Sequence, residues 1–300
     1  MKSFNEIYGK VYNESSKQLE NARQKVQKEI VTVVFVAMII GTFLSVLTQN
    51  IIFICVTLLM VCLYVLISLK DRDYTKMFKD RVIKTFVKEY SSTLDFLPDS
   101  GVSRTIYYEG EFENFDRYKT EDLIIGSFED GTKIKMGEVV TEREIRDEEG
   151  HTSYTKIFHG LFAEIEIDKY VPANIKIRRN IILSLDMQYK LYMQNKLDMD
   201  SSEFEKNFNV YSEDKIITMQ LLTADVMQML IDFKNKTKLT PEITIKESSI
   251  YIRFPTGPIF ETKITKDSLD FDTLLKYYEI INFTLKLSEG IIKNIKETEL

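Results

Sequence analysis

Between Glu29 and Lys70 the chain runs for forty residues without a charge, and this stretch restricts the fold more than any other feature. As one helix rising about 1.5 Å per residue it would extend about 60 Å, roughly twice the hydrocarbon thickness of a bilayer. Thr48, Gln49 and Asn50 interrupt it near the middle. Split there, IVTVVFVAMIIGTFLSVL (30–47) and IIFICVTLLMVCLYVLISL (51–69) are each long enough to cross once. The amides of Gln49 and Asn50 suit a turn at a wet interface, where helix-end groups need partners. The alternative is a hairpin buried in a soluble core. The sequence predicts a two-helix transmembrane hairpin, with membrane lipids as the partner of residues 30–69.

Flanking charge sets the expected orientation. Lys10, Lys17, Arg23, Lys25 and Lys28 precede the hairpin, and Lys70, Arg72, Lys76, Lys79, Arg81 and Lys84 follow it. The turn carries none, so both termini are expected on the cytoplasmic side of the cell membrane. Twenty-nine mostly polar residues precede the apolar run, which does not fit a cleaved signal peptide. Cys55 and Cys62 lie in the second helix and residues 70–300 have no thiol, so no disulfide framework is expected. Residues 1–90 carry 13 basic and 8 acidic residues, and 91–300 carry 27 and 38. A positive membrane-proximal part fits an anionic lipid surface, whereas the acidic remainder would be repelled by nucleic acid.

The flanks continue the helices. Phe4, Ile7, Tyr8, Val11, Tyr12, Leu19, Ala22 and Val26 keep helical spacing, as do Tyr74, Met77, Phe78, Val82, Phe86 and Tyr90. The two flanks are expected to pack as an antiparallel stalk ending near LPDSG (97–101). Gly9 and Ser15-Ser16 weaken the first, which leaves open a helix lying on the membrane surface. Beyond the stalk, turn signals at Asp130-Gly131 and Glu149-Gly150 with alternation in TKIKM and AEIEI predict an antiparallel meander. Helices are expected over NIILSLDMQYKLYMQNKL (180–197), from about Thr223, and over about 268–296, the last with Phe271, Leu274, Leu275, Tyr278, Ile281, Leu285 and Leu287 facing the core. PEITIKESSIYIRFP reads as a hairpin turning at Glu247 to Ser249. The fold class is α+β: residues 1–96 form the anchor and stalk, and 100–300 a cytoplasmic domain that divides, if at all, near 173–200.

Three segments, YKTEDLIIGSFEDGTKIKMGEV, KIFHGLFAEIEIDKY and FEKNFNVYSEDKIITMQLLTADVMQML, resemble the bacterial membrane-protein family known as domain of unknown function 3137. The resemblance spans about residues 105–235 and follows an N-terminal hydrophobic hairpin. Tyr118, Glu121, Asp122, Gly126, Phe158, Gly160, Phe162, Tyr211 and Asp214 match its pattern, whereas Ala224 stands where it implies proline. It carries no activity, so it implies structural roles for these positions and no catalytic residue.

His159, in KIFHGLF, is the most suggestive single residue, because histidine binds metals and moves protons near neutral pH. The alternative is a core-edge histidine in a strand bent at Gly160. His151 lies in an acidic turn. Two histidines and no thiol outside the hairpin give no zinc set, and Asp147, Glu148 and Glu149 lack calcium-loop spacing. Glu121-Asp122 and Glu164-Glu166 are carboxylate pairs that acid–base chemistry or lysine partners would explain equally well. GSFEDGT (126–132) lacks the lysine of a phosphate loop, and no nucleophile elbow is present. FPTGPIF (254–260) reads as a rigid exposed loop. No cofactor is implied.

The function expected from these features is a membrane-anchored, non-enzymatic module that binds another protein at the cytoplasmic face. One alternative is a small-ligand or lipid-headgroup sensor, the latter requiring Lys176, Arg178 and Arg179 to cluster. The other is a membrane-tethered hydrolase.

Overall fold

A computed structural model describes residues 2–68, 72–128, 131–180, 195–262, 264, 267 and 269–298. The chain divides into a helical unit, residues 1–90 and 260–274, and a sheet unit, residues 91–259 and 275–300.

In the helical unit, α1 (Phe4–Thr48) is one uninterrupted helix of 45 residues. Ser3 and Glu6 close its start with a capping box, and Gln49 ends it in the left-handed conformation, φ 53°. α2 (Ile52–Ser68) follows at once, with Asn50 Oδ1 accepting from Ile52 N at 2.9 Å. The polar trio is therefore a helix–turn–helix junction. The two helices touch closely at Gly41, where a Cβ would lie 2.3 Å from Thr57 Oγ1. Among the described residues α1 is the one helix both long and apolar enough to cross a membrane; α2 holds a shorter apolar segment, Ile52–Val65.

The N-terminal half of α1 packs on α3 (Arg72–Phe78) and α4 (Lys84–Tyr90), which a π-helical turn, Lys79–Ile83, joins. Phe4, Ile7, Val11 and Leu19 are buried, as are Tyr74, Phe78, Val82, Phe86 and Tyr90. Lys2 and Lys10 both reach Glu89 at 2.5 Å. Ser15, expected to weaken α1, is buried and donates to Arg81 O at 3.3 Å, serving a carbonyl of the π-turn. The second flank does not run to LPDSG: it stops at Tyr90, and Leu94–Leu97 is the edge strand β1.

The sheet unit is built on a spine, β4 (Thr152–Arg179). Along one edge it pairs with β3 (Lys133–Arg146) and then with β6 (Phe208–Tyr211); along the other it pairs with β7 (Glu242–Phe254). β1 and β2 (Arg117–Ser127) extend the sheet beyond β3, and β5 (Lys196–Leu197) beyond β6. All pairs are antiparallel, and β2, β3 and β4 form the meander the turn signals predict.

The expected hairpin in PEITIKESSIYIRFP is instead one strand. Its buried isoleucines change parity, from 243 and 245 to 250 and 252, which a turn and a bulge both produce. Here Glu247, at φ 53°, is the bulge, opposite Val171 where the register shifts beside Pro172, which has no N–H to give. The last turn expected before α9 is also different: in FPTGPIF only Pro255 and Pro258 are exposed, while Phe254, Ile259 and Phe260 are buried.

Helices cover one face of this sheet. Of these, α6 (Ser202–Glu205) and α7 (Lys215–Leu221) are short, and α8 (Ala224–Thr237) and α9 (Phe271–Glu297) are long; a further short helix, α5 (Arg104–Glu109), lies in the segment before β2. Phe233 of α8 stacks on Phe283 of α9 at 4.0 Å, and both approach Phe254 of β7. Ala224 occupies the first helical position, where the fixed φ of proline is equally suited. In α9 the inward stripe includes Tyr277, Ile280 and Phe283, while the expected Leu275, Tyr278 and Leu285 are half-buried. The helix expected over 180–197 falls on residues 181–194, outside those described.

Candidate functional site

On the other face, the segment before β2 lies as a strap across the sheet. Val102, Tyr107 and Phe112 of the strap pack with Val139, Phe158, Phe162 and Tyr251 in one buried cluster. The Tyr107 and Phe162 rings are 5.0 Å apart, and Phe162 stacks on Tyr251 at 6.3 Å. Tyr118 joins this cluster, its hydroxyl donating to Val102 O at 2.8 Å, and burial pushes its phenol up to about 12.

The strap is also held by buried charge. Arg253 of β7 binds Glu113 of the strap, and its Nε and Nη2 donate to Glu242 Oε2 at 2.7 and 2.5 Å. Glu113 Oε1 accepts from Tyr107 Oη at 2.7 Å and from Thr141 Oγ1 at 2.8 Å. Arg178 is buried and donates to Ile243 O at 2.6 Å, Glu111 O at 3.1 Å and Thr244 Oγ1 at 2.9 Å. Both guanidinium carbons sit 4.7 Å from the Phe112 ring centre. Burial pushes the Glu242 carboxyl up and the Arg253 guanidinium down; their direct contact opposes both shifts, and the guanidinium stays charged. At the strap's edge Glu111 meets Lys176 at 2.6 Å and Lys246 at 2.9 Å. Although burial opposes its ionisation, these lysines hold Glu111 down to about 2.

His159 lies at a second polar corner. Its Nε2 is 2.7 Å from Oε1 of buried Glu138, and its Nδ1 is 3.2 Å from Lys156 Nζ. Lys156 can only donate, so Nδ1 accepts and Nε2–H points to Glu138. Glu138 Oε2 accepts from Ile259 N at 2.8 Å, and His159 O from Gly257 N at 3.1 Å. The histidine thus ties the 255–259 loop to β3 and β4. The bend anticipated at Gly160 is a close approach: a Cβ there would lie 2.0 Å from Phe254 O.

The sequence-matched residues separate accordingly. Tyr118, Phe158 and Phe162 come together under the strap. Gly126, at φ 151°, lets β1 approach, since a Cβ would lie 2.1 Å from Thr93 O. Glu121 is exposed and Asp122 buried at the β2 bulge. Tyr211 is buried in β6, and Asp214 caps α7, accepting from Ile217 N at 2.9 Å. Glu164 and Glu166 face Lys135 at 2.9 and 3.0 Å, the lysine-partner alternative. His151 is exposed beside Asp147 and Glu149. Lys176 and Arg178 are committed to strap partners, and Arg179 lies 3.9 Å from Glu242, so the three do not form an open basic cluster. No group of three metal-binding side chains occurs among the described residues. Sequence reading missed Glu113, Glu242 and Arg253, which lie in two separated segments, the strap and β7, with no shared motif. Arg253, between Ile252 and Phe254, was the available signal.

Residues 156–296 match the family model described as Protein of unknown function (DUF3137). The match begins in β4 and runs through β7 into α9. It therefore reaches further toward the C-terminus than the resemblance over 105–235, and leaves out YKTEDLIIGSFEDGTKIKMGEV with Tyr118, Glu121, Asp122 and Gly126. Phe158, His159, Gly160, Phe162, Tyr211 and Asp214 lie within it, as do Glu242 and Arg253. No curated protein matches the chain. A solved structure, the mycobacterial trehalose monomycolate transport factor A, TtfA, aligns at 8% identity with a TM-score of 0.40, covering 75% of this chain and 96% of that one. A likeness at that level carries no argument about function.

Proposed function

We propose that this chain is an integral membrane protein in which residues 30–47 and 51–69 cross the cell membrane as a two-pass hairpin, with both termini cytoplasmic. Its sheet unit is a non-enzymatic module that binds another protein. The observation that carries this reading is the exposure of the apolar helices. Only 6% of the most apolar window of α1 is buried within the protein. Val31, Phe35, Ile39, Phe43 and Leu47 of α1, with Ile52, Val56, Leu59 and Leu63 of α2, are all exposed. Leaving one large apolar side chain in water forfeits about 1.5–3 kcal/mol; nine together amount to more than the stability of a typical domain. Lipid removes that penalty. The basic flanks and the uncharged turn support the orientation.

A binding rather than catalytic role is supported by the acid–base groups of the sheet unit. Glu113, Glu138, Glu242 and His159 are each bonded to neighbouring protein groups that hold the strap or the 255–259 loop. The surface best suited to a partner is the far end of the β3–β4 hairpin, which extends beyond the start of β2 and exposes Ile145 and Ile157. The test is photo-crosslinking of the full-length chain in cells from a probe at Ile145, with a second probe at Lys119 on β2 as control. A discrete crosslinked protein from position 145 alone supports the module. Equal, diffuse labelling from both positions would overturn it.

A further inference from the structure

Past the start of β2 the β3–β4 hairpin continues as a two-stranded ribbon. β3 pairs with β4 as far as Arg146 and Thr152, whereas β2 begins at Arg117, opposite Glu142, and β7 ends at Phe254, opposite Leu161. Among the described residues no strand adjoins β4 from Thr152 to Ile157 on the side that β7 takes further along. Thr152, Ser153, Thr155, Lys156 and Ile157 are exposed there, and Tyr154 is half-buried. The backbone direction on this edge follows from β3. Glu142 O accepts from Asp116 N at 2.9 Å and Glu144 N donates to Asp116 Oδ2 at 2.6 Å, so both residues turn their main chain away from β4. In an antiparallel ladder the residues directly opposite do the same on their own side. Those are Lys156 and Tyr154, and by alternation Thr152. Their outward N–H and C=O groups form a template for a further antiparallel strand.

The template is complementary to itself. When two copies run antiparallel about a two-fold axis at Tyr154, Tyr154 meets Tyr154 and Thr152 meets Lys156, all of them positions whose main-chain groups point outward. Ser153 meets Thr155, so no like charges stand directly opposite. The second copy's strand then ends at His151, opposite Ile157. That is where the 255–259 loop takes over the edge, Gly257 N donating to His159 O at 3.1 Å. A lysine on an exposed edge ordinarily guards against such pairing. In this register, however, the second copy's turn arrives beside Lys156 and carries the exposed carboxylates of Asp147, Glu148 and Glu149. Opposite charge therefore favours a second copy of this chain over an arbitrary strand.

We propose that two copies of this chain dimerise by pairing β4 with β4 across residues 152–156. The pairing uses the edge of the hairpin and leaves the side chain of Ile145 to the partner proposed above, so it stands without that reading. A contact this short is small for a permanent interface, and the dimer is expected to be transient.

The test is disulfide trapping in a crude detergent extract of cells expressing the full-length chain, with Cys55→Ala and Cys62→Ala as background and copper phenanthroline as oxidant. Residues facing each other in a hydrogen-bonded antiparallel pair have Cα atoms about 5.5 Å apart, within disulfide range. Tyr154→Cys should therefore give a covalent dimer of this chain. Thr152→Cys on one tagged copy should join Lys156→Cys on another, whereas either alone should give at least about fivefold less dimer, because like positions lie roughly 14 Å apart. Lys119→Cys, exposed on β2, should give none. In the Tyr154→Cys chain, Thr152→Pro should lower the yield about fivefold or more, since it removes an outward N–H that the β3 ladder does not use. Lys156→Gln should lower it as well, and keeps the test open if circular dichroism shows the proline variant to be unfolded. No dimer from Tyr154→Cys, an equal yield from Lys119→Cys, a yield unchanged by Lys156→Gln, or trapping of a different protein in place of a second copy would overturn the proposal.

Discussion

Replacing Arg253 by methionine tests whether the strap is held by buried charge. The side chains of Arg253, Glu113 and Glu242 are 14%, 11% and 9% exposed, so the substitution leaves two carboxylates near one another with little water. Breaking a buried pair from one side costs about 3–5 kcal/mol. The sheet unit comprises residues 91–259 and 275–300, a size at which each kcal/mol shifts the melting temperature by about 2–4 °C. Arg253→Met should therefore melt about 6–20 °C below the wild type at pH 7, followed by circular dichroism of the full chain in detergent. The pH dependence has a fixed sign. Burial raises Glu242, and a carboxylate raised in the folded state contributes stability that is complete below its unfolded value near 4.3 and lost as pH rises through the folded one. With the Arg253 guanidinium gone, Arg178 and Arg179, the latter 3.9 Å away, offset only part of the burial, so the deficit should be largest near pH 8 and shrink toward pH 5. Adding Glu113→Gln and Glu242→Gln to Arg253→Met should recover most of the loss. A deficit below about 1 kcal/mol at pH 7, or one that grows on acidification, would refute the reasoning.

Three further outcomes are expected. Gly160→Ala, whose methyl would meet Phe254 O at 2.0 Å and Thr256 N at 2.9 Å, should destabilise the sheet unit by about 2 kcal/mol or more because both obstacles are backbone; denaturant unfolding reads the change. Lys176→Met should cost about 1 kcal/mol at pH 7, a value reduced for solvent screening because Glu111 is 34% exposed. Glu111 is depressed to about 2, so its stabilisation is present above the unfolded value near 4.3 and lost as pH falls through about 2, and variant and wild type should converge there. Cys55 and Cys62, free and on the α2 surface, should resist a membrane-impermeant maleimide in intact membranes and react once detergent is added; ready labelling without detergent would contradict a lipid-embedded α2.

The elements most legible in the sequence are those with a single period over a long run. The α1–α2 junction was readable because Thr48 to Asn50 is the polar point in forty uncharged residues, and the meander because Gly131 and Gly150 mark its turns. β7 was misread because a parity change in a hydrophobic pattern reports that two residues change face, and does not say whether the chain reverses or bulges. The answer lay in β4, far away in sequence, whose own irregularity at Val171 and Pro172 matches Glu247. The end of the stalk was misplaced for a related reason: Leu94 and Phe96 continue an apolar rhythm, and only pairing with Gly126 and Ile124 makes them a strand. The charge network has no local signature. Glu113, Glu242 and Arg253 are ordinary surface residue types, and what makes them unusual is burial, a property of the folded strap.

That network also bears on where function resides. A catalytic carboxylate needs a displaceable neighbour such as water or substrate at hydrogen-bond distance. Glu113 receives Tyr107, Thr141 and Arg253, Glu138 receives His159 and Ile259 N, and Glu242 receives Arg253. The bonds from Thr141 and Arg253 to Glu113, and from His159 and Ile259 to Glu138, join separate elements, which fixes the packing of the strap and of the 255–259 loop. The exposed apolar surfaces of α1 and α2 differ from these interior groups: they face outward with no described protein segment over them. Exposed apolar surface is therefore most extensive on α1 and α2, whereas the buried carboxylates and the histidine of the sheet unit bind its own strap and loop.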